Sequence, residues 1–527
     1  MRNFLILLFS FLCIVSQAQI KTEEPPRLLI GIKVDGMQNS HIQKLWKYFS
    51  AGGFRKIITE GTVVEQMEHP VVSAGNSADV ATIFTGTVPF YHGITGDYYF
   101  DREDKEIKSI LSDENQVGIG TREKFSAHKM LSSTITDELL LTSSQSQVYS
   151  IAINPEDAIM MGGHMATGVT WIDDSMNKWV TTAYYAKGLS HWADLMNVNG
   201  SFNSIASTDW VPFSSISSYL NPTVKGSKSV PFRYNPLEKG KNPARSILRN
   251  TPAANNLVTE LAQTIFDKEA LGADKYTDAL LIQYTVKVPG QLTSSLTNAE
   301  QEDMYLRLDR DLQNLISSIS SRVGSDKVVF FLTGGTEDLH SPVELGNNRI
   351  PAGYFNANRS LSLVNTYLMA LYGQEKWISG YYGKNIFLNK KRIEEKKLNF
   401  EEVKSRTAEF LLEFEGIQAA YPINDIVNFT GNSVDVRSKY RNSYHKTTAG
   451  DIVITLLPGW VEIDDKNQVV GTANTPRVYL PFYLYGARVK PQKISTDCKT
   501  TDIAPTLAYL LGLPLPNACI GKSLIPD

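Results

Sequence analysis

The 527-residue chain is poor in cysteine, in charge of one sign and in long hydrophobic runs. Three cysteines are too few for a disulfide-built scaffold. Lys+Arg 52 against Asp+Glu 55 leaves a formal net charge of -3, so no basic excess is available to neutralise nucleic-acid phosphates. Beyond the first residues, no stretch approaches the roughly 18–20 apolar residues that a membrane-spanning helix needs. Disorder is excluded as well, because a chain 42% hydrophobic and 20% charged can bury enough surface to fold. What remains is a large globular protein with room for insertions.

The N-terminus has its own grammar. Arg2 precedes an apolar run over 4–15, followed by Ser16-Gln17-Ala18-Gln19. That order predicts a secretory signal peptide over 1–18. Cys13 lacks a small-residue lipobox before it, which argues against a lipid anchor. The mature chain is therefore expected outside the cytoplasm, in the periplasm or at the surface or outer membrane of a Gram-negative-type bacterium. Cys498 and Cys519 flank a helix-like segment, and in an oxidising compartment they are expected to pair. The other reading is two unrelated buried thiols.

Short apolar runs over 28–34, 148–153, 279–284, 328–332 and 480–485 stop abruptly at polar or glycine residues, as buried parallel strands do. Between them lie helical patterns. Over 298–319, Met304, Leu308, Leu312, Leu315 and Ile319 share one face. Over 501–511, Thr501 or Asp502 can cap, Pro505 sits in the first turn and Gly512 stops the helix. Strands alternating with helices predict an α/β fold. Ligands of such sheets bind beyond the carboxyl ends of the strands, which directs attention to Asp35-Gly36, 154–156, 285–291 and 333–340. Residues 167–252, rich in Trp, Tyr, Ser and Asn, predict a cap insertion over the sheet edge. A more charged second insertion is expected over about 347–438, with the basic run 390–397 as a solvated helix face.

Taken together, these segments resemble the alkaline phosphatase superfamily, and within it the secreted bacterial phosphatases with a Thr nucleophile and the type I phosphodiesterases/nucleotide pyrophosphatases. The resemblance rests on Gly31-Ile32-Lys33-Val34-Asp35-Gly36-Met37, Gly52-Gly53-Phe54, and Thr85-Gly86-Thr87-Val88-Pro89 leading into His92-Gly93-Ile94-Thr95-Gly96. It continues through 168–185 and 305–312 to Thr501-Asp502-Ile503-Ala504-Pro505-Thr506 and Gly521-Lys522. It implies a mainly parallel central sheet flanked by helices, as one domain over 19–527 carrying the two insertions. It also implies two zinc ions that activate a hydroxyl and bear the charge of a transferring phosphoryl group.

Position by position, the implied machinery is largely replaced. Asp35 matches the first metal carboxylate. Asn76 stands at the nucleophile position, with Ser77 and Thr82 as substitute hydroxyls nearby. Val286 and Gln291 replace a carboxylate and an imidazole after the third of the strands that carry the site. Gly335 and Thr336 replace the Asp-His pair after the fourth, and 471–476 contains no His. Asp97, Asn154 and Glu156 stand where an Asn, a Lys and an Arg would hold phosphate. An anion there would meet carboxylates, a repulsion of about 1–4 kcal/mol. Glu337, Asp338 and His340, with Asp35, form the best alternative metal cluster, whereas His92 and His164 match family positions outside the metal set.

The expected function is thus non-catalytic: an exported binding or scaffold component of the cell envelope with a protein partner there, no nucleic acid, and no cofactor. One alternative is a metal-dependent phosphomonoesterase or phosphodiesterase using Asp35, Ser77 or Thr82, and His340, with zinc. Another is a glycan-binding module through Trp171, Trp179, Tyr184, Tyr185, Trp192 and Trp210 of the cap.

Overall fold

The computed structural model describes residues 24–72, 75–173, 175–222, 224–225, 228–239, 247–289, 298–335, 342–431, 435–472 and 478–525. The expected signal segment lies outside them, and no described helix is long and apolar enough to cross a membrane.

The five apolar runs all form strands of one central sheet. Its main strands are β1 (Leu28–Asp35), β2 (Thr62–Glu68), β3 (Val148–Ala152), β4 (Gly168–Asp173), β5 (Lys178–Thr182), β6 (Asp278–Thr285), β7 (Val328–Gly334) and β8 (Tyr479–Gly486). They lie in the order β2-β8-β7-β1-β6-β3-β4-β5. The central strands β7, β1, β6, β3 and β4 run parallel. β8 lies antiparallel between β7 and β2, and β5 antiparallel to β4.

Strand β1 sits mid-sheet and is buried along its whole length. Its side chains alternate between the two faces. Leu28, Ile30, Ile32 and Val34 enter one core, with helices α3 (Pro252–Lys268) and α4 (Ala299–Val323). Leu29 enters the other core, with α1 (Asn76–Thr85), α2 (Pro155–Gly162) and α5 (Ile503–Leu511). Gly31, Lys33 and Asp35 follow Leu29 on that second face. A side chain at Gly31 would collide with Phe331 and Leu281, so its absence lets β1 lie between its neighbours. The 298–319 pattern is α4, begun by Asn298, whose side chain accepts from Gln301 N at 2.8 Å.

Near the C-terminus the capping differs from expectation. Thr500–Asp502 is a 3-10 turn before α5. The Asp502 carboxylate accepts from Lys499 N at 2.8 Å and from Lys522 N at 2.9 Å, so it pins the C-terminal tail instead of capping α5. The expected Cys498–Cys519 disulfide is also corrected, since both thiols are free. Cys498 pairs with Met67 at the edge of the sheet and faces the second core, whereas Cys519 packs beside Gly86 at the end of α1.

The cap expected over 167–252 is divided. Its first part is β4 and β5, strands of the central sheet. Among the described residues that follow, Trp210, Tyr219 and Phe232 pack on the α3/α4 face and join the first core. Asp303 of α4 clamps it, accepting from Trp210 Nε1 (2.7 Å), Phe213 N (2.7 Å), Tyr219 Oη (2.5 Å) and Arg307 Nε (2.6 Å). Trp171 and Trp179 are wholly buried in the sheet. Trp192 donates to Glu269 at 2.7 Å, and the Tyr185 hydroxyl donates to Gly163 O at 2.8 Å while Tyr184 packs edge-on against its ring. Trp171, Trp179 and Trp210 are buried and so offer no surface to a glycan, whereas Tyr184, Tyr185 and Trp192 are half-buried and engaged in these packing contacts.

The second insertion is a lobe that extends past 438. Its four-stranded sheet, Ile378–Tyr382, Asn385–Leu388, Ile452–Leu456 and Ile417–Pro422, packs with helices Ala357–Tyr372 and Phe400–Leu411 around their own core. The helix Lys390–Glu395 carries the basic run, with side chains paired to Glu375, Glu395 and Asp451. Arg102 reaches Asp451 at 3.0 Å, and Lys439 donates to His69 O at 2.8 Å. Both tie the lobe to the sandwich.

Candidate functional site

The carboxyl ends of β1, β3, β6 and β7 converge beside the N-termini of α1 and α2, and most of the expected positions meet there. Asp35 ends β1 and is nearly buried. Its backbone carbonyl accepts from Val286 N at 2.9 Å, which places the wholly buried, donor-free Val286 next to it. Gly335 packs against the Asp35 carboxylate. Gln291, Thr336, Glu337, Asp338 and His340 lie outside the described residues.

The centre of the site is a residue that the sequence reading quoted but gave no role. Lys33, two positions before Asp35 and therefore on the same face of β1, is fully buried. Its ammonium lies 2.5 Å from Asp35 Oδ1 and 2.5 Å from Asp157 Oδ1. Asp157 reaches it from α2. Asn154 caps that helix, accepting from Asp157 N at 2.8 Å and donating through Nδ2 to Asp157 Oδ2 at 2.7 Å. The Asn76 amide donates to both carboxylates, at 3.3 Å to Asp35 and 3.1 Å to Asp157. Gln283 of β6 adds a donor to Asp35 Oδ2 at 3.2 Å. The signals were a lone charge inside an apolar strand, in step with Asp35, and an acid three residues after a helix cap.

The charges follow from this packing. Burial would push the Asp35 carboxyl up, but the Lys33 and Lys287 charges and hydrogen bonds from Lys33 and Asn76 outweigh it and hold it below the usual range. For Asp157 burial prevails: despite Lys33, and with the Asp35 charge adding to burial, its carboxyl is raised to about 6. Burial alone would favour a neutral Lys33, yet the two carboxylates hold it protonated.

A second acidic pair flanks the first. Asp97 accepts from Asn76 N at 3.2 Å and Ser77 N at 2.7 Å, so an internal carboxylate fills the anion-binding N-terminus of α1. Gly75, at φ +139, permits this approach, because a side chain there would overlap the Asp97 carboxylate. Burial raises Asp97, and burial plus the Asp97 charge, partly opposed by Arg249, raises Glu156 to about 7.

The substitute hydroxyls both lie within α1. Ser77 is fully buried. The Thr82 hydroxyl donates to Ala78 O at 2.8 Å and lies 3.2 Å from His92 Nε2. His92 Nδ1 accepts from Ile94 N at 3.2 Å, and burial lowers this imidazole to about 3, so it is a neutral structural group. His164 is committed to Asp137 at 2.9 Å.

The fold has a known counterpart. The type I phosphodiesterase / nucleotide pyrophosphatase family matches residues 29–477. The chain belongs to this family, within the alkaline phosphatase superfamily. Among its relatives, alkaline phosphatase PafA of Elizabethkingia meningoseptica is 26% identical over 514 residues, covering 95% of this chain and 94% of that protein. Alkaline phosphatase PhoV of Synechococcus elongatus is 27% identical over 524 residues, covering 95% and 93%. A Myroides odoratus protein named calcium-transporting ATPase is 26% identical over 531 residues, covering 97% of each chain. The crystal structure of PafA shares the fold at a TM-score of 0.84, with 24% identity over 95% of this chain and 98% of that one.

This kinship corrects the expectation that no cofactor is involved. The family and its alkaline phosphatase members are the enzymes for which the resemblance implied zinc, so metal dependence belongs to the class. The described residues do not by themselves fit a two-zinc centre. Asp35 is already engaged by an ammonium and two amides, and no group of three or more His, Cys, Asp or Glu among the described residues is arranged to hold an ion.

Proposed function

We propose that this alkaline-phosphatase-like protein does not transfer phosphoryl groups by the Thr-nucleophile route of its relatives, and that it serves as an exported binding or scaffold component of the cell envelope with a protein partner there. One observation carries the reading: the Asn76 amide stands where the attacking hydroxyl would be, donating to Asp35 and Asp157 around the Lys33 ammonium. An amide so placed has no nucleophilic electron pair to offer. Asp97, seated on the first amides of α1, and Glu156 stand at the positions where a phosphate clamp would need an amide and a cation. Export is supported by the basic start, apolar run and small-residue site of 1–18.

Kinship along almost the whole chain with alkaline phosphatases favours a second reading, a metal-dependent phosphomonoesterase or phosphodiesterase with a rearranged site. It would draw on Asp35 with Glu337, Asp338 and His340, and on Ser77 or Thr82. One experiment separates the two. Purified mature protein is assayed with an aryl phosphate monoester and diester with added zinc, alongside elemental analysis for bound metal. Turnover that Asp35→Ala abolishes establishes the second reading and defeats the first. Absence of turnover in metal-loaded protein, with a partner recovered by gentle pull-down from the envelope, supports the first.

A further inference from the structure

Beyond Asp97 the chain enters the strand Tyr98–Asp101, and a cleft opens between that strand and the lobe. Tyr98, Phe100, Tyr382, Tyr440 and Tyr444 wall it, and no Lys, Arg, Asp or Glu side chain lines it. Its polar groups are hydroxyl, amide and imidazole, from residues such as Thr95, Asn385 and His445. Burial and the neighbouring Lys446 charge hold His445 below its ordinary range, so it too is uncharged near neutrality. The Tyr382 and Tyr444 rings carry hydroxyls with no hydrogen bond to another described residue. The aromatic surface continues outward: Phe90 lies 6.2 Å from the Tyr444 ring and 5.1 Å from Tyr91, and Phe90 and Tyr91 are 40% and 51% exposed.

This lining selects by elimination. A charged ligand would lose its hydration with no opposite charge on the lining side chains, and an anion would also face Asp97, whose charge reaches Tyr382. The Tyr440 hydroxyl is taken by Ile454 O at 3.3 Å, whereas a wholly apolar ligand would cover the Tyr382 and Tyr444 hydroxyls without offering them a polar group. Rigid aromatic faces with polar tips suit an uncharged ring that has apolar faces and hydroxyls at its rim. We propose that the cleft between the Tyr98–Asp101 strand and the lobe is a saccharide-binding site, with Tyr382 and Tyr444 as platforms and the Phe90–Tyr91 surface extending it for a further sugar unit. The site is separate from the buried cap aromatics and does not depend on whether the strand-end pocket turns over substrate.

The test is saturation-transfer-difference NMR on the full mature chain with cellobiose, N,N′-diacetylchitobiose and maltotriose as probes. Transfer to the ring protons of at least one probe is expected. Tyr382→Ala with Tyr444→Ala should weaken it about tenfold or more, and Tyr444→Phe, which keeps the ring and the fold, should weaken it less. Three results each overturn the proposal: no transfer to any probe at millimolar concentration, transfer unchanged in these variants, or displacement of the sugar signal by N-acetyl-tyrosinamide, which would mark an aromatic peptide site. Binding is read without hydrolysis, so failure here leaves the phosphatase question untouched, and the converse holds.

Discussion

Two acidic pairs flank the N-termini of α1 and α2, and they solve the same problem differently. Asp35 and Asp157 are buried around an ammonium at contact distance, with amide donors completing their shells. Asp97 instead relies on two backbone amides, and the Arg249 charge acts on Glu156 against its rise. The contrast teaches that burial alone does not set a carboxyl's state. With Lys33 at contact distance Asp35 is held below its ordinary range in the interior, whereas burial and the Asp97 charge, only partly opposed by Arg249, raise Glu156 to about 7.

The largest expected effect comes from removing the cation. Lys33→Met should leave Asp35 and Asp157 facing each other unpaired and cost about 3–5 kcal/mol. Adding Asp35→Asn and Asp157→Asn should recover most of that loss. Thermal unfolding followed by circular dichroism reads both, and an undiminished Tm in Lys33→Met would break the comparison.

A smaller effect, of opposite pH character, belongs to the second pair. The Glu156 carboxyl is raised from 4.5 to about 7 on folding, so the native state binds its proton more tightly than the unfolded chain. That contribution is complete below about pH 4.5 and is lost as pH rises through 7, a change of about 1–3 kcal/mol after allowing for solvent access. Glu156→Gln should flatten stability against pH over that window, and a wild-type profile already flat there would contradict the assignment.

Two finer substitutions sharpen the picture. Asp97→Asn keeps an acceptor for the first amides of α1 but removes the repelling charge, so the Glu156 carboxyl should fall toward its ordinary range in a ¹³C-NMR titration. Asp97→Ala should in addition cost about 1 kcal/mol through the lost cap. Least of all, Arg249→Met should push Glu156 slightly higher still, because the opposing charge is gone.

Much of the fold was legible because it is written locally. Apolar runs ended at the residues where strands end, and the spacing of Met304, Leu308, Leu312 and Leu315 described one face of α4. The cap was misread for a local reason too: strands β4 and β5 carry Trp171 and Trp179, and dense aromatics look alike in a sheet edge and in an insertion. At the site, the positions came together, but their chemistry depended on partners far apart in sequence. Asp157 lies 124 residues from Lys33, and no spacing rule links them. A lysine inside an apolar strand was the visible clue, and its meaning needed the second carboxylate.

That separation bears on how the protein assembles. Strand β1 is central to the sheet, yet its lysine has only Asp35 beside it until α2 docks. The strand can therefore be sealed from water only once the segment around residue 157 has arrived, which couples early and later parts of the chain in one step. In refolding experiments, protection of β1 amides should rise together with docking of α2 rather than before it.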